Sequence, residues 1–138
     1  MATAAVVHAF LEGLKSGDVD GITELFAEEI DWWAPGTVLP WAGRRSRRSE
    51  VPEFFSSLES ACVSAETRVE VDEVLIDGED AVVFGTYHRM FVKNGRSFDT
   101  PEAVHIRVVD GRIVRWHLYG DTGRVEDAWL DRAPTSIT

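Results

Sequence analysis

Cysteine, methionine, tyrosine and positive charge are all scarce in this 138-residue chain. It holds one Cys, two Met and two Tyr, and its 14 Lys and Arg face 24 Asp and Glu, for a formal net charge of −10. The lone Cys62 excludes an intramolecular disulfide framework and a Cys-rich metal site. The basic deficit speaks against nucleic acid, whose phosphates need a surplus of Lys and Arg, and against docking on an anionic membrane face. No apolar run approaches the roughly 18 to 20 residues of a membrane span. Residues 1–10 show no basic segment followed by an apolar run, so no leader is read and a cytoplasmic location is expected. The four histidines form neither an i,i+4 helical pair nor a His-x-His strand pair beside a carboxylate. No metal is therefore expected. Without a Gly-rich phosphate loop or a nucleophile elbow, neither a nucleotide, another cofactor nor a Ser/His/Asp triad is expected.

What the chain does hold is a globular composition, 44% hydrophobic and 28% charged, at the length of one domain, read as residues 1–138. Five tryptophans are more than so small a core usually needs.

Val7, Phe10, Leu11 and Leu14 recur at helical spacing, and Ser16-Gly17-Asp18 ends that helix. Asp18 then caps a short second helix carrying Ile22, Leu25 and Phe26. Ile30-Asp31-Trp32-Trp33 reads as a short strand, and residues 37–49, with Pro40, Trp41 and four arginines, as an irregular loop. Val51, Phe54, Phe55, Leu58 and Cys62 mark a third helix, with Pro52 tolerated in its first turn. From Thr67 the period falls to two. Strands are expected at 67–76, 82–92, 98–109 and 113–119, joined by turns at Asp77-Gly78, Asn94-Gly95 and Asp110-Gly111. This order gives an α+β fold: a curved, cone-shaped antiparallel sheet with three N-terminal helices on its concave face and an apolar pocket at one end.

Val6-Val7 through Leu14, Ser16 through Ile22, and Leu25 through Glu29 closely resemble the opening of bacterial ketosteroid isomerases. Trp33-Ala34-Pro35-Gly36, Ala42-Gly43, Val51 with Phe54-Phe55, Asp110-Gly111-Arg112-Ile113 and Tyr119-Gly120-Asp121 resemble the broader SnoaL-like group. Both belong to the nuclear-transport-factor-2-like superfamily, whose cystatin-like cone the resemblance implies over residues 6–122. The isomerases use an Asp base with an oxyanion hole of one Tyr and one protonated Asp. Those positions fall here on Ala34, Phe10 and Val104, all apolar, so a true ketosteroid isomerase is excluded by that mechanism.

The same resemblance sets the strand facing. It turns Val82, Phe84, Thr86, His88 and Met90 inward, with Val104, Ile106, Val108, Trp116 and Leu118. It turns Tyr87, Arg89, His105, Arg107, His117 and Tyr119 outward. His88 is then the ionisable group in the pocket and the first catalytic candidate, since imidazole exchanges protons near neutral pH. Asp121 is the second, because SnoaL-like cyclases use an aspartate near the end of the last strand. A bulge at Gly120 is needed to turn it inward, and its other reading is a helix cap. Asp99 and Glu102 flank Pro101, and either could reach the mouth. The arginines at 44, 45, 47 and 48 either steer an anionic substrate or pair with nearby carboxylates.

Phe10, Trp32, Trp41, Phe54, Phe84, Met90, Val104, Trp116 and Leu118 are the expected substrate-binding wall, leaving Trp33 and Trp129 to packing elsewhere. The resemblance implies cofactor-independent acid/base chemistry on a hydrophobic polyketide-, terpenoid- or steroid-like molecule. Cyclisation, as by a polyketide cyclase of secondary metabolism, isomerisation and dehydration are the reaction types. The rivals are a non-catalytic ligand-binding domain and a hydrolase similar to limonene epoxide hydrolase, which needs an Asp–Arg–Asp set. A homodimer through the outer sheet face is also expected.

Overall fold

Residues 2–133 are described by a computed structural model. Helix α1 (Thr3–Ser16) ends where Gly17 adopts φ 71, the left-handed conformation glycine takes without penalty. Helix α2 (Val19–Glu24) starts at Asp18, whose carboxylate accepts the Gly21 N–H at 2.9 Å. Strands β1 (Phe26–Ala34) and β2 (Gly43–Arg47) precede α3 (Val51–Ala61). Then come β3 (Arg68–Asp77), β4 (Asp80–Met90), β5 (Ser97–Val109), β6 (Arg112–Gly120) and α4 (Thr122–Trp129).

One curved six-stranded sheet runs β2-β1-β6-β5-β4-β3. Every pairing is antiparallel except β1 with β6. The α+β class is as expected, with three differences of detail. Residues 43–47, expected as loop, form edge strand β2, because pairing with β1 satisfies the backbone of a segment too charged to read as a strand. Phe26 opens β1 instead of closing α2. A fourth helix, α4, follows β6 and carries Trp129 edge-on against Trp41 and Phe91 at centroid distances of 5.8 and 5.0 Å.

The helices cover one face of the sheet, and an aromatic core fills the space between. Trp32 of β1 stacks on Trp116 of β6 at 3.9 Å with 13° between planes, the register Trp32↔Trp116 setting them side by side. Phe54 of α3 meets both edge-on, at 4.8 and 5.3 Å. Phe26 and Phe55 complete the collar around Trp32. The expected cavity wall is largely this core. Phe10, Trp32, Trp41, Phe54, Val104 and Trp116 are all buried, Trp32 at 0% and Trp116 at 5% exposure. The rings face one another where an open pocket was expected, because edge-to-face and stacked contacts fill the volume between sheet and helices. Leu118 is half-buried at the margin.

The facing of β5 and β6 agrees with expectation, and that of β4 is reversed. The register pairs Val83 with buried Val104 and Tyr87 with buried Thr100, so Val83, Gly85, Tyr87 and Arg89 face the helices. Phe84, 38% exposed, and Met90, half-buried, therefore lie on the outer face and line no inner wall. The run Ala81-Val82-Val83-Phe84 is apolar on both faces, so alternation alone could not set its phase.

Candidate active site

The β4 reversal assembles a polar cluster on the concave face. Glu102 of β5 lies in one cross-strand row between Gly85 of β4 and Gly120 of β6. A Cβ on Gly120 would stand 3.0 Å from Glu102 Cγ and 3.3 Å from Oε2, so the glycine is what leaves room for the carboxylate. Tyr87 and Arg89 follow Gly85 on the same side of β4. The Arg89 guanidinium lies 5.7 Å from the Tyr87 ring centre. Beyond them the face opens toward β3. There Val69, opposite Tyr87, and Val71, opposite Gly85, are 42% and 46% exposed.

Glu102 makes no hydrogen bond or ion pair among the described residues. Burial without a partner disfavours its charged form and pushes its pKa up to about 7, although the positive charge of Arg89 pulls the other way. Burial, and then the nearby Glu102 charge, raise the Tyr87 phenol to about 12, which keeps it a neutral donor. Burial likewise raises the Cys62 thiol, against the opposing effect of Arg89. The cluster thus holds a carboxylate balanced between its two forms near neutral pH, a phenol and a guanidinium. That set can accept a proton, return it, and donate hydrogen bonds to oxygen.

His88 and Asp121 are placed elsewhere. His88 lies on the outer face, with Nδ1 2.8 Å from Asp99 Oδ1, because it alternates with the inward Tyr87. Asp121 is exposed and caps α4, accepting the Arg124 N–H at 3.1 Å; no bulge turns it inward. The two are joined only through intermediaries. Arg124 Nε stands 3.5 Å from Asp121, and its Nη1 donates to the Asp99 carbonyl at 2.8 Å. No proton-transfer pair forms.

The outer face is otherwise laced with charge pairs. Asp80 accepts from His105 at 2.8 Å and Arg107 at 2.9 Å. Asp31 lies 2.8 Å from His117 Nε2 and 3.1 Å from Arg115 Nε. The His117 contact, ahead of that with Arg115, holds the Asp31 carboxyl below the usual range. Two arginines of this segment are committed too: Arg45 of β2 is buried on Glu53 and the Trp41 carbonyl, and Arg48, just after β2, pairs with Glu28. Arg107 faces outward as expected, whereas Arg89 faces inward. The inner cluster nonetheless holds one carboxylate, short of an Asp–Arg–Asp set.

Two hollows occur away from Glu102. One of about 210 Å³ at the β1–β2 irregularity is lined by residues that include the ion-paired Asp31 and Arg45. The other, about 530 Å³ and open, lies beside α3 near Val19 and Pro52. Neither contains an unpaired buried ionisable group, so neither displaces Glu102 as the candidate. Among the described residues, no group of three His, Cys, Asp or Glu is placed to hold a metal ion. No helix there is long and apolar enough to cross a membrane.

A protein-family model described as a SnoaL-like domain matches residues 7–116. Among solved structures, the chain is similar to an NTF2-like protein from Burkholderia thailandensis, with 22% identity and a TM-score of 0.84 over 94% of this chain and 98% of that one. An NTF2-like protein of unknown function from Burkholderia pseudomallei is 27% identical, with a TM-score of 0.78 over 97% and 98% of the two chains. TerC, co-crystallized with polyporic acid, is 19% identical, with a TM-score of 0.79 over 91% and 96%. No curated protein matches this chain.

Proposed function

The chain belongs to the SnoaL-like domain family, and from that membership we propose that it is a cofactor-independent acid/base enzyme acting on a hydrophobic small molecule, with Glu102 as its base. One observation carries this reading: an unpaired carboxylate set in a glycine-flanked notch on the concave face. A carboxylate whose pKa lies near the working pH is a stronger base than an ordinary exposed one, and a fully paired one is already engaged. Glu102 is neither exposed nor paired. The exposed Val69 and Val71 offer an apolar surface beside it for the substrate body. The reaction is isomerisation, cyclisation or dehydration begun by removing a proton next to a carbonyl. The co-crystallization of TerC with polyporic acid supports a small organic molecule as the substrate class.

Deuterium exchange into 2-tetralone, followed by proton NMR in D2O, tests the assignment. Glu102→Gln should slow catalysed exchange by roughly 100-fold or more, the usual worth of a positioned base. His88→Ala and Asp121→Asn should stay within twofold of wild type. The wild-type rate should rise with pH and level off above about 7, since the base must be ionised. Undiminished exchange by Glu102→Gln would refute the role.

We further propose a homodimer through the outer sheet face, where Leu75, Phe84 and Tyr119 are exposed large apolar groups. Sedimentation equilibrium should give twice the chain mass for wild type and the single chain mass for Phe84→Glu. A monomeric wild type contradicts the pairing.

A further inference from the structure

Arg89 stands apart from the other arginines. Arg45, Arg48, Arg96, Arg107 and Arg115, each buried or half-buried, are ion-paired with Glu53, Glu28, Asp131, Asp80 and Asp31 in turn. Among the described residues, Arg89 alone of the half-buried arginines makes no ion pair with a carboxylate. This is so in a chain with ten more acidic than basic charges, where partners are plentiful. Its guanidinium rests near the Tyr87 ring and reaches the Cys62 thiol, a weak hydrogen-bonding group. The Glu102 carboxylate acts on it only through space, with no ion pair or hydrogen bond between them, so guanidinium donors withdrawn from water remain open to an anion. They lie on the same face as Glu102, at the end of the cluster away from Gly120.

We propose that Arg89 receives an anionic oxygen of the substrate, and that the substrate is an apolar carbonyl compound carrying a separate carboxylate, a keto acid. The inference rests on the reading of Glu102 as the base and names the class of molecule that base acts on. Glu102 Oε takes the proton from the carbon beside the carbonyl. The C–H electron pair moves into the carbonyl, whose oxygen becomes an enolate. Arg89 N–H groups donate to that oxygen and to the substrate carboxylate. Glu102 then returns its proton to carbon, so no oxidant, reductant or further reactant enters. Arg suits the task better than Lys, because its planar fork meets two oxygens at once.

The test is binding of 2-naphthoate and its neutral match 2-naphthamide to the purified protein, by titration calorimetry. Wild type should bind the carboxylate at least tenfold more tightly than the amide. Arg89→Met should bring the two within twofold of each other while amide binding is kept, which also reports an intact fold. Arg89→Lys should retain part of the preference. Glu102→Gln should keep or increase it, so this outcome is independent of the exchange assay that tests the base. A preference that survives in Arg89→Met, or wild type that shows none or binds neither probe, overturns the proposal.

Discussion

Replacing Glu102 with Gln should raise the thermal midpoint at pH 8 by roughly 10 °C and leave it nearly unchanged at pH 4. The folded protein raises the Glu102 pKa from 4.5 to about 7. Above pH 7 the group is ionised in both folded and unfolded chains, and the folded chain bears the full desolvation penalty. At 1.36 kcal/mol per pKa unit this penalty is about 3 kcal/mol. Below pH 4.5 the group is neutral in both states and the penalty vanishes. Between those limits the folded state binds more protons than the unfolded one, so wild-type stability falls as pH rises. Glutamine keeps the shape and does not titrate, so the variant loses that slope. Asp31 acts oppositely and in a separate window: its lowered pKa contributes stability that is lost only as pH falls below the ordinary carboxylate range. Calorimetric scans of both proteins from pH 4 to 8 check the difference. Parallel curves would mean that Glu102 is solvated like any surface carboxylate.

Trp32→Ala should destabilise the fold by about 4 kcal/mol, within the range for large-to-alanine changes in a packed core. Its ring is wholly buried and touches Trp116, Phe26, Phe54 and Phe55, four rings that cannot all collapse into the space left behind. Trp32→Phe should cost far less. The Trp32 Nε1 donor has no hydrogen-bond partner among the described residues, and removing an unsatisfied buried donor relieves its desolvation penalty. Urea unfolding of both variants separates the two accounts of these tryptophans. A core predicts a large loss for alanine; the wall of an open cavity predicts less than about 1 kcal/mol and a gain of apolar ligand space.

The helical stripes, the cap at Asp18 and the turn at Asp110-Gly111, where φ is 49 and 76, were legible because each depends on neighbours in sequence. Strand β2 was not, because its partner β1 supplies the hydrogen bonds and nothing in Gly-Arg-Arg-Ser-Arg favours extension by itself. The phase of β4 was ambiguous for a related reason. Four successive apolar residues suit either face, and only pairing with β5 selects Val83 over Val82. That single choice governed the site. With β4 turned the wrong way, His88 entered the cavity and Tyr87 and Arg89 left it. Glu102 was within reach of sequence reasoning: it stands two residues before Val104, already placed inward, and so shares its face. Pro101 obscured this, because proline usually interrupts a strand, whereas β5 continues through it with register intact from Ser97 to Arg107. That Glu102 has no partner could be learned only in three dimensions, since it depends on two glycines from other strands.

Glu102 is a carboxylate held near neutral balance on the concave face. Carbon-detected NMR titration of the glutamate carboxyl signals, with Glu102→Gln to identify the resonance, measures this directly. A midpoint near 7 for the Glu102 signal is the expected result. A midpoint between 4 and 5 would show an ordinary solvated carboxylate and would contradict the account.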